Sequence, residues 1–300
     1  MSDTPLPIID AHHHLWDLSV CHYPWLMARG EKRFFGDPTP IQKNYLPQDL
    51  RQDALGFDIV NSVHIQVGVA EGDEVAETQW LQSCADRDGI PSAIIAFCDL
   101  TQDNRDTILD AHQQNANLRG IRQIVSRSAE EDAKTGTAAL LESAAFANGL
   151  NRLAERNLSF DLQLTPPVLP QAAAMFCRHS ATPLALCHAG SLQDFSPEGV
   201  AQWRDGLTAL AKHDNVLCKI SGFGMFNHDW QVDDIRDYVL HAIDIFGPQR
   251  IAFGSNFPVD GLHAVYGRVM GAYLQITDDF SDDERRAMFH DNAARFYRLD

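Results

Sequence analysis

A single (β/α)8 barrel of the α/β class, the TIM-barrel architecture, is the fold this sequence predicts. Three observations carry it: eight short apolar runs recur along the chain, stretches of helical periodicity separate them, and 300 residues suit one barrel with insertions spanning 1–300. The runs are Ile8–Asp10, Val60–Val67, Ala93–Phe97, Arg119–Ile124, Ser159–Leu164, Leu184–His188, Val216–Ser221 and Arg250–Gly254. Most are continuous in Ile, Val and Leu, the pattern of strands covered on both faces. Between the last two, Val232, Ile235, Val239, Ala242, Ile243 and Phe246 recur every three or four residues and make one apolar stripe to lay on a sheet. Ser196 before Pro197 suits a helix cap and first turn, and Ser281 with Glu284 has capping-box spacing. An open doubly wound sheet is the competing architecture, but no GxGxxG fingerprint supports it.

One stretch breaks the alternation. Leu15–Tyr45 follows the first run directly, is rich in aromatics and prolines, and reads as a long loop after strand 1. Loops after barrel strands lie on the catalytic face, so Trp16, Tyr23, Trp25, Phe34 and Phe35 either wall a substrate site or form a satellite core beneath the loop.

Composition narrows the function. Lys and Arg total 24 against 41 Asp and Glu, a formal charge of −17, which repels a phosphate backbone and argues against nucleic acid. No run of about 18 apolar residues is present to span a membrane. Met1–Pro7 lacks the basic-then-apolar signature of a secretory leader, so the expected compartment is the cytoplasm. Cys21, Cys84, Cys98, Cys177, Cys187 and Cys218 form no CxxC pair and read as reduced thiols, mostly small hydrophobes. A small-molecule substrate is the expected partner, and the sequence does not choose between a monomer and a homodimer.

The densest chemistry lies where the first run meets His12, His13 and His14. Side chains alternate on an extended backbone, so His12 and His14 share one side and His13 takes the other. Two imidazoles placed in this way can meet one metal ion or one substrate carbonyl. His188 closes the sixth run. Arg122 and Gln123 sit in the fourth, where a guanidinium suits a substrate carboxylate or hydroxyl cluster, or else an ion pair between strand and helix. His64, Gln66 and Lys219 are weaker candidates, since an inward polar residue often only fills a barrel with hydrogen bonds.

The motifs His12-His13-His14-Leu15-Trp16-Asp17, His188-Ala189-Gly190, Cys218-Lys219-Ile220-Ser221-Gly222, Phe253-Gly254-Ser255-Asn256-Phe257-Pro258 and Asp291-Asn292-Ala293-Ala294-Arg295-Phe296-Tyr297 appear in that order. Together they resemble the amidohydrolase superfamily, and within it the branch of sugar lactonases (L-fuconolactonase, L-rhamnonolactonase) and 2-pyrone-4,6-dicarboxylate lactonase. The likeness covers nearly the whole chain. It implies a hydrolase that opens a small cyclic ester, a sugar-derived lactone, by water attack on a carbonyl polarised by a histidine cluster. It also implies His12, His14 and His188 as ligands of one divalent metal, zinc the natural ion, although members of this branch work with one metal or with none.

Departures from the branch are equally informative. Relatives place an aspartate at the end of strand eight to receive the proton of the attacking water; here Asn256 stands there, and an amide cannot act as that base. Asp260 is the substitute, provided the Pro258 turn swings it back over the barrel mouth; otherwise it is an ordinary turn carboxylate. No lysine ends strand four to carry a carbamate, which argues against a binuclear centre. Gln163 stands where other members place a metal-binding histidine at strand five, and its amide suits substrate hydrogen bonding. Two alternatives stay open: decarboxylation or another hydrolysis of a carboxylated small molecule, and a ligand-binding barrel that has lost hydrolysis, the reading Asn256 motivates.

Overall fold

In the computed structural model, which describes residues 6–179 and 181–299, every one of the apolar runs yields a strand. Of the N-terminal stretch read for a leader, residues 1–5 lie outside the described residues. The strands are β1 (Ile8–His13), β2 (Ile59–Ile65), β3 (Ala93–Ala96), β4 (Leu118–Ile121), β5 (Ser159–Leu162), β6 (Leu184–Leu186), β7 (Val216–Ile220) and β8 (Ile251–Phe253). They pair in parallel in sequence order around one eight-stranded sheet. The amide of Asn256 donates to the His12 carbonyl and that of His14 to the Phe257 carbonyl, both at 2.7 Å, so the end of β8 closes on β1.

Helices fill the intervals: α1 (Pro24–Met27), α2 (Pro47–Asp53), α3 (Glu74–Asp88), α4 (Arg105–His112), α5 (Ala129–Thr135), α6 (Ala144–Glu155), α7 (Leu169–Arg178), α8 (Pro197–Ala211), α9 (Val232–Phe246), α10 (Tyr266–Ile276), α11 (Asp282–Arg286) and α12 (Asn292–Tyr297). The predicted starts are real. Ser196 accepts from the Gly199 amide at the head of α8, and Ser281 and Glu284 form a reciprocal capping box on α11. The stripe on α9 buries Ile235, Val239, Ala242, Ile243 and Phe246.

Inside the barrel, Ile9, Ala11, Val63, Ile65, Ala93 and Ile95 meet Ala293 and Tyr297 of α12, which plugs the end opposite the long loop. Tyr297 donates to Asp161 at 2.9 Å, and Lys219 reaches the same carboxylate oxygen at 2.5 Å. Both charges are fully buried, so Lys219 ties barrel layers together and is spent on that contact.

The first strand contains a detail that alternation does not show. Asp10 pairs with Ser62 and His13 with His64, so β1 carries one extra residue between them, a β-bulge. Asp10 consequently faces outward, accepting from Ser255 at 2.6 Å and from Tyr266 of α10 at 3.1 Å, while Ala11 joins the inner apolar cluster and the His12 ring lies against His14 and His188. Among the described residues no helix is long and apolar enough to cross a membrane. The six cysteines are free, and all but Cys177 are buried.

Candidate active site

The carboxyl ends of the strands surround a cavity of about 530 Å³ whose lining includes His14, Arg122, Gln163, His188 and Asn256. Trp16, Trp25, Phe34 and Phe35 of the long loop wall it. Both readings of that loop therefore hold: Trp16 and Phe35 also belong to the main core, whereas buried Tyr23 packs there without reaching the cavity. The loop is clipped at its ends by paired backbone bonds between Trp16 and Tyr45, 2.9 and 3.0 Å.

His12 and His14 face one another as the two-residue period requires, with ring centroids 5.2 Å apart, and His188 comes within 4.5 Å of His12. His13 takes the other side, beside His64, whose Nδ1 accepts from the Leu15 amide at 3.0 Å. His64 thus braces β1 and does not line the cavity, whereas Gln66 does.

Two of the site histidines, His14 and His188, are locked in place by their outer edges. Nδ1 of His14 lies 2.7 Å from the Ile65 carbonyl, which only accepts, so that nitrogen carries the hydrogen and Nε2 is bare. His188 lies beyond the end of β6, where its φ of +54° turns the backbone, and its Nδ1 is 2.9 Å from the Ser221 hydroxyl. Two glycines make room. A Cβ on Gly254 would fall 2.6 Å from the Cβ of His12, and one on Gly222 would fall 2.6 Å from Nδ1 of His188. Burial holds all three imidazoles neutral, His14 at about 3 and His12 and His188 well below the usual histidine range; Lys219 and Arg122 add to the effect.

Do these residues fit a divalent ion? Neutral imidazoles are the right donors, and neither nitrogen of buried His12 has a hydrogen-bond partner. Two imidazoles on one tetrahedral ion have centroids about 5 Å apart, given nitrogen–metal bonds of about 2.1 Å. The observed 5.2 and 4.5 Å lie on either side of that value. Among the described residues no three His, Cys, Asp or Glu side chains are grouped so that they could hold a metal ion. The donor chemistry of the imidazoles suits a divalent ion, but their placement does not assemble a site for one.

Arg122 is the cation of the floor. It is 5% exposed, donates to Gln163 at 3.0 Å and to the Gln66 carbonyl, and leaves Nε without a partner. Among the described residues no carboxylate pairs with it, so the strand-to-helix ion pair is not formed. Burial lowers it to about 10, and it stays charged at neutral pH. Gln123 lines the cavity too, but it is committed to Asp99 at 2.9 Å and the Leu100 amide at 3.0 Å. Periodicity gave no hint of Arg33 and Arg127, which also line the wall: Arg33 grips Glu131 of α5 at 2.9 Å, and Arg127 stands 3.8 Å from it.

Asp260 needs a correction. The Pro258 turn does bring it back over the barrel, yet its carboxylate does not line the cavity or face the histidines. Asn256 stands between: its Nδ2 donates to Asp260 at 2.9 Å and its Oδ1 lies 3.3 Å from Nε2 of His14. The cause is local, because Asn256 takes a φ of +56° and bonds to the His12 carbonyl, which aims its amide at the site. Burial pushes Asp260 up to about 7, against the pull of Asn256 and the amides of Gly222 and Gly224.

A parallel barrel with histidines gathered at its carboxyl face, from the end of β1 and from just beyond β6, has the layout of an enzyme site. Residues 9–299 match the amidohydrolase family, and the chain belongs to it. It is 40% identical over 301 residues, 100% of each chain, to protein y4mH of Sinorhizobium fredii (strain NBRC 101917 / NGR234). It is 29% identical over 303 residues to L-fucono-1,5-lactonase of Burkholderia multivorans (strain ATCC 17616 / 249), covering 97% of this chain and 96% of the relative. A solved amidohydrolase from Burkholderia multivorans with bound zinc superposes with a TM-score of 0.82 at 29% identity, over 98% of this chain and 99% of that one.

Proposed function

We propose that this chain hydrolyses a small lactone derived from a sugar, opening its ester by attack of water on the ring carbonyl. One observation carries the reading: His14 and His188 are tied at their outer nitrogens and turn their inner edges to one cavity, beside an arginine that has no carboxylate of its own. The fuconolactonase relatives support a sugar lactone as the substrate class, and the cavity volume of about 530 Å³ is in the usual range for small-molecule sites.

In this mechanism the aromatic wall of Trp25 and Phe35, backed by buried Trp16, packs the sugar ring and excludes water from all but the attacking side. Water adds to the carbonyl carbon beside His188, whose ring Ser221 orients, and the proton it sheds passes to the ring oxygen as the carbon–oxygen bond breaks. The product carries a new carboxylate. Arg122, with its unpaired Nε, offers charge-assisted hydrogen bonds to the oxygens that become that carboxylate, and Gln163 holds the guanidinium in place.

The reading places the enzyme in cytoplasmic carbohydrate breakdown, in keeping with free, mostly buried thiols. The unpaired Arg122 also favours a second reading, in which the substrate already carries a carboxylate. A proton-release assay on a panel of neutral aldonolactones, carboxylated lactones and enolic carboxylic acids separates these. Turnover of the neutral sugar lactones with the highest kcat/KM is expected; turnover confined to the carboxylic acids would replace the reading.

A further inference from the structure

At the amino-terminal end of the barrel, where Pro183 leads into β6, Asp214 towards β7 and Arg250 into β8, a second cavity of about 340 Å³ opens. Arg250, Arg295 and Arg298 line it, and among the described residues Asp214 is the one acidic residue of its lining. That is a local surplus of positive charge in a chain with 41 acidic residues against 24 basic ones. Neutral acceptors hold the three guanidiniums. Arg250 donates from Nε to the Phe246 carbonyl at 3.0 Å and from Nη1 to the carbonyls of Ala211 and His213, both at 2.9 Å, where α9 and α8 end. Arg295 donates from Nη2 to the Gln249 carbonyl and to Oδ1 of Asn292, both at 2.9 Å, and Arg298 from Nη2 to the Arg119 carbonyl at 3.3 Å. Nη2 of Arg250, and Nε and Nη1 of Arg295 and of Arg298, take no partner among the described residues. Among those residues no carboxylate forms an ion pair with any of the three. Partial burial lowers Arg298, and the charge of Arg119 lowers it further, a repulsion that a bound anion would relieve.

We propose that this cavity is a binding site for a phosphate group, free or carried by a small metabolite, and that Arg250, Arg295 and Arg298 hold it. Guanidinium forks match phosphate oxygens, and more than one fork can meet one phosphate, whereas a carboxylate occupies a single fork. A volume of about 340 Å³ is at the small end of ligand sites, room for a phosphate on a small body. The carbonyls that grip Arg250 and Arg295 preorganise their guanidiniums, so little side-chain freedom is lost on binding. The net charge of −17 does not forbid the ligand: at physiological ionic strength charges more than about 8 Å away are screened, while guanidiniums in contact act on it directly. The site lies at the strand ends away from the histidines, so it is independent of the lactonase reading.

Calorimetric titration of the purified full chain with inorganic phosphate and with glucose 6-phosphate, at constant ionic strength, tests this without any lactone. The wild type should bind one equivalent of at least one of them with a Kd of about 1 mM or tighter. Arg295→Gln and Arg298→Gln, both at exposed positions, should each weaken binding at least about tenfold, the loss of one charge-assisted hydrogen bond. Asp214→Asn should bind at least as tightly as the wild type, since it removes the carboxylate that competes with the ligand. Tighter uptake of glucose 6-phosphate assigns the phosphate to a metabolite and tighter uptake of inorganic phosphate to the free ion; either result supports the site. If Arg295→Gln fails to fold, Arg298→Gln carries the test alone. No saturable binding below about 10 mM would overturn the proposal. So would unchanged affinity in either folded arginine variant, weaker binding by Asp214→Asn, or loss of binding in a folded Arg122→Gln variant, which would place the anion in the reaction cavity instead.

Discussion

Arg122 keeps a full charge at 5% exposure with only neutral acceptors around it, and that imbalance is where substrate recognition is concentrated. Removing a charge-assisted hydrogen bond to a developing carboxylate costs about 1.5–3 kcal/mol, so Arg122→Ala should lower kcat/KM by about 10- to 150-fold. Arg122→Lys should not restore it, since an ammonium cannot reproduce the fork that holds Gln163 and the Gln66 carbonyl together. Steady-state kinetics with a thermal melt on each variant checks this; full activity in Arg122→Lys would show that charge alone suffices. Much of this scale was legible in the sequence. His12 and His14 follow from a two-residue period, and Arg122 and His188 from their places at the ends of apolar runs. What alternation could not show is which atoms are already taken: that Asn256 would shield Asp260, or that Ser221 would orient His188, depends on positive-φ turns that only the folded backbone reveals.

At the scale of elements, the β1 bulge and the long loop decide what the cavity is. Period counting placed His12 and His14 together correctly, but it would have put Asp10 beside them; the extra residue sends Asp10 outward to Ser255 and Tyr266, where it fastens β1 to β8 and α10. The eight runs were legible because buried parallel strands are apolar on both faces, and their ends were not. The sixth strand stops at Leu186, two residues before His188, because left-handed residues end it. Within the loop, burial separates two tryptophans. Trp16 is fully buried, so Trp16→Ala should cost about 3–5 kcal/mol and impair folding. Trp25 is only partly buried, bonds to the Val67 carbonyl at 2.6 Å and lies 5.6 Å beneath the Arg33 guanidinium. Trp25→Ala should therefore raise KM several-fold, roughly the loss of 1 kcal/mol or so of ring contact, with a smaller fall in Tm than Trp16→Ala. Equal falls in Tm with no change in KM would return the loop to a purely structural role.

Over the whole molecule, buried titratable groups set the pH dependence of stability, and two sets act in opposite directions. Burial lowers His12, His13, His14, His64, His112 and His188, so the folded barrel keeps them neutral. The unfolded chain takes up protons at these residues as pH falls through about 6.5, and stability is lost below that point at up to about 1.4 kcal/mol per pH unit for each. Glu77 of α3 does the reverse. Burial raises it to about 8, chiefly by desolvation, so between about pH 4.5 and that value only the folded chain holds the proton, and rising pH destabilises the fold. Calorimetry on the zinc-free protein should show Tm falling from pH 7 to 5. Glu77→Gln should gain stability relative to wild type at pH 8 compared with pH 5. A flat Tm across the acid range would mean that the histidines titrate in the folded state after all.

Whether the histidine cluster opens a lactone is measured most directly by proton release from L-fucono-1,5-lactone and related aldonolactones by the wild type, His14→Asn and His188→Asn, each confirmed folded. The wild type should turn over at least one of these lactones. The variants should lose about 10²–10³-fold in kcat, the scale of removing one group from a preorganised site. A wild type that opens no sugar lactone with or without zinc, or a His188→Asn variant as active as the wild type, would contradict that role for the cluster.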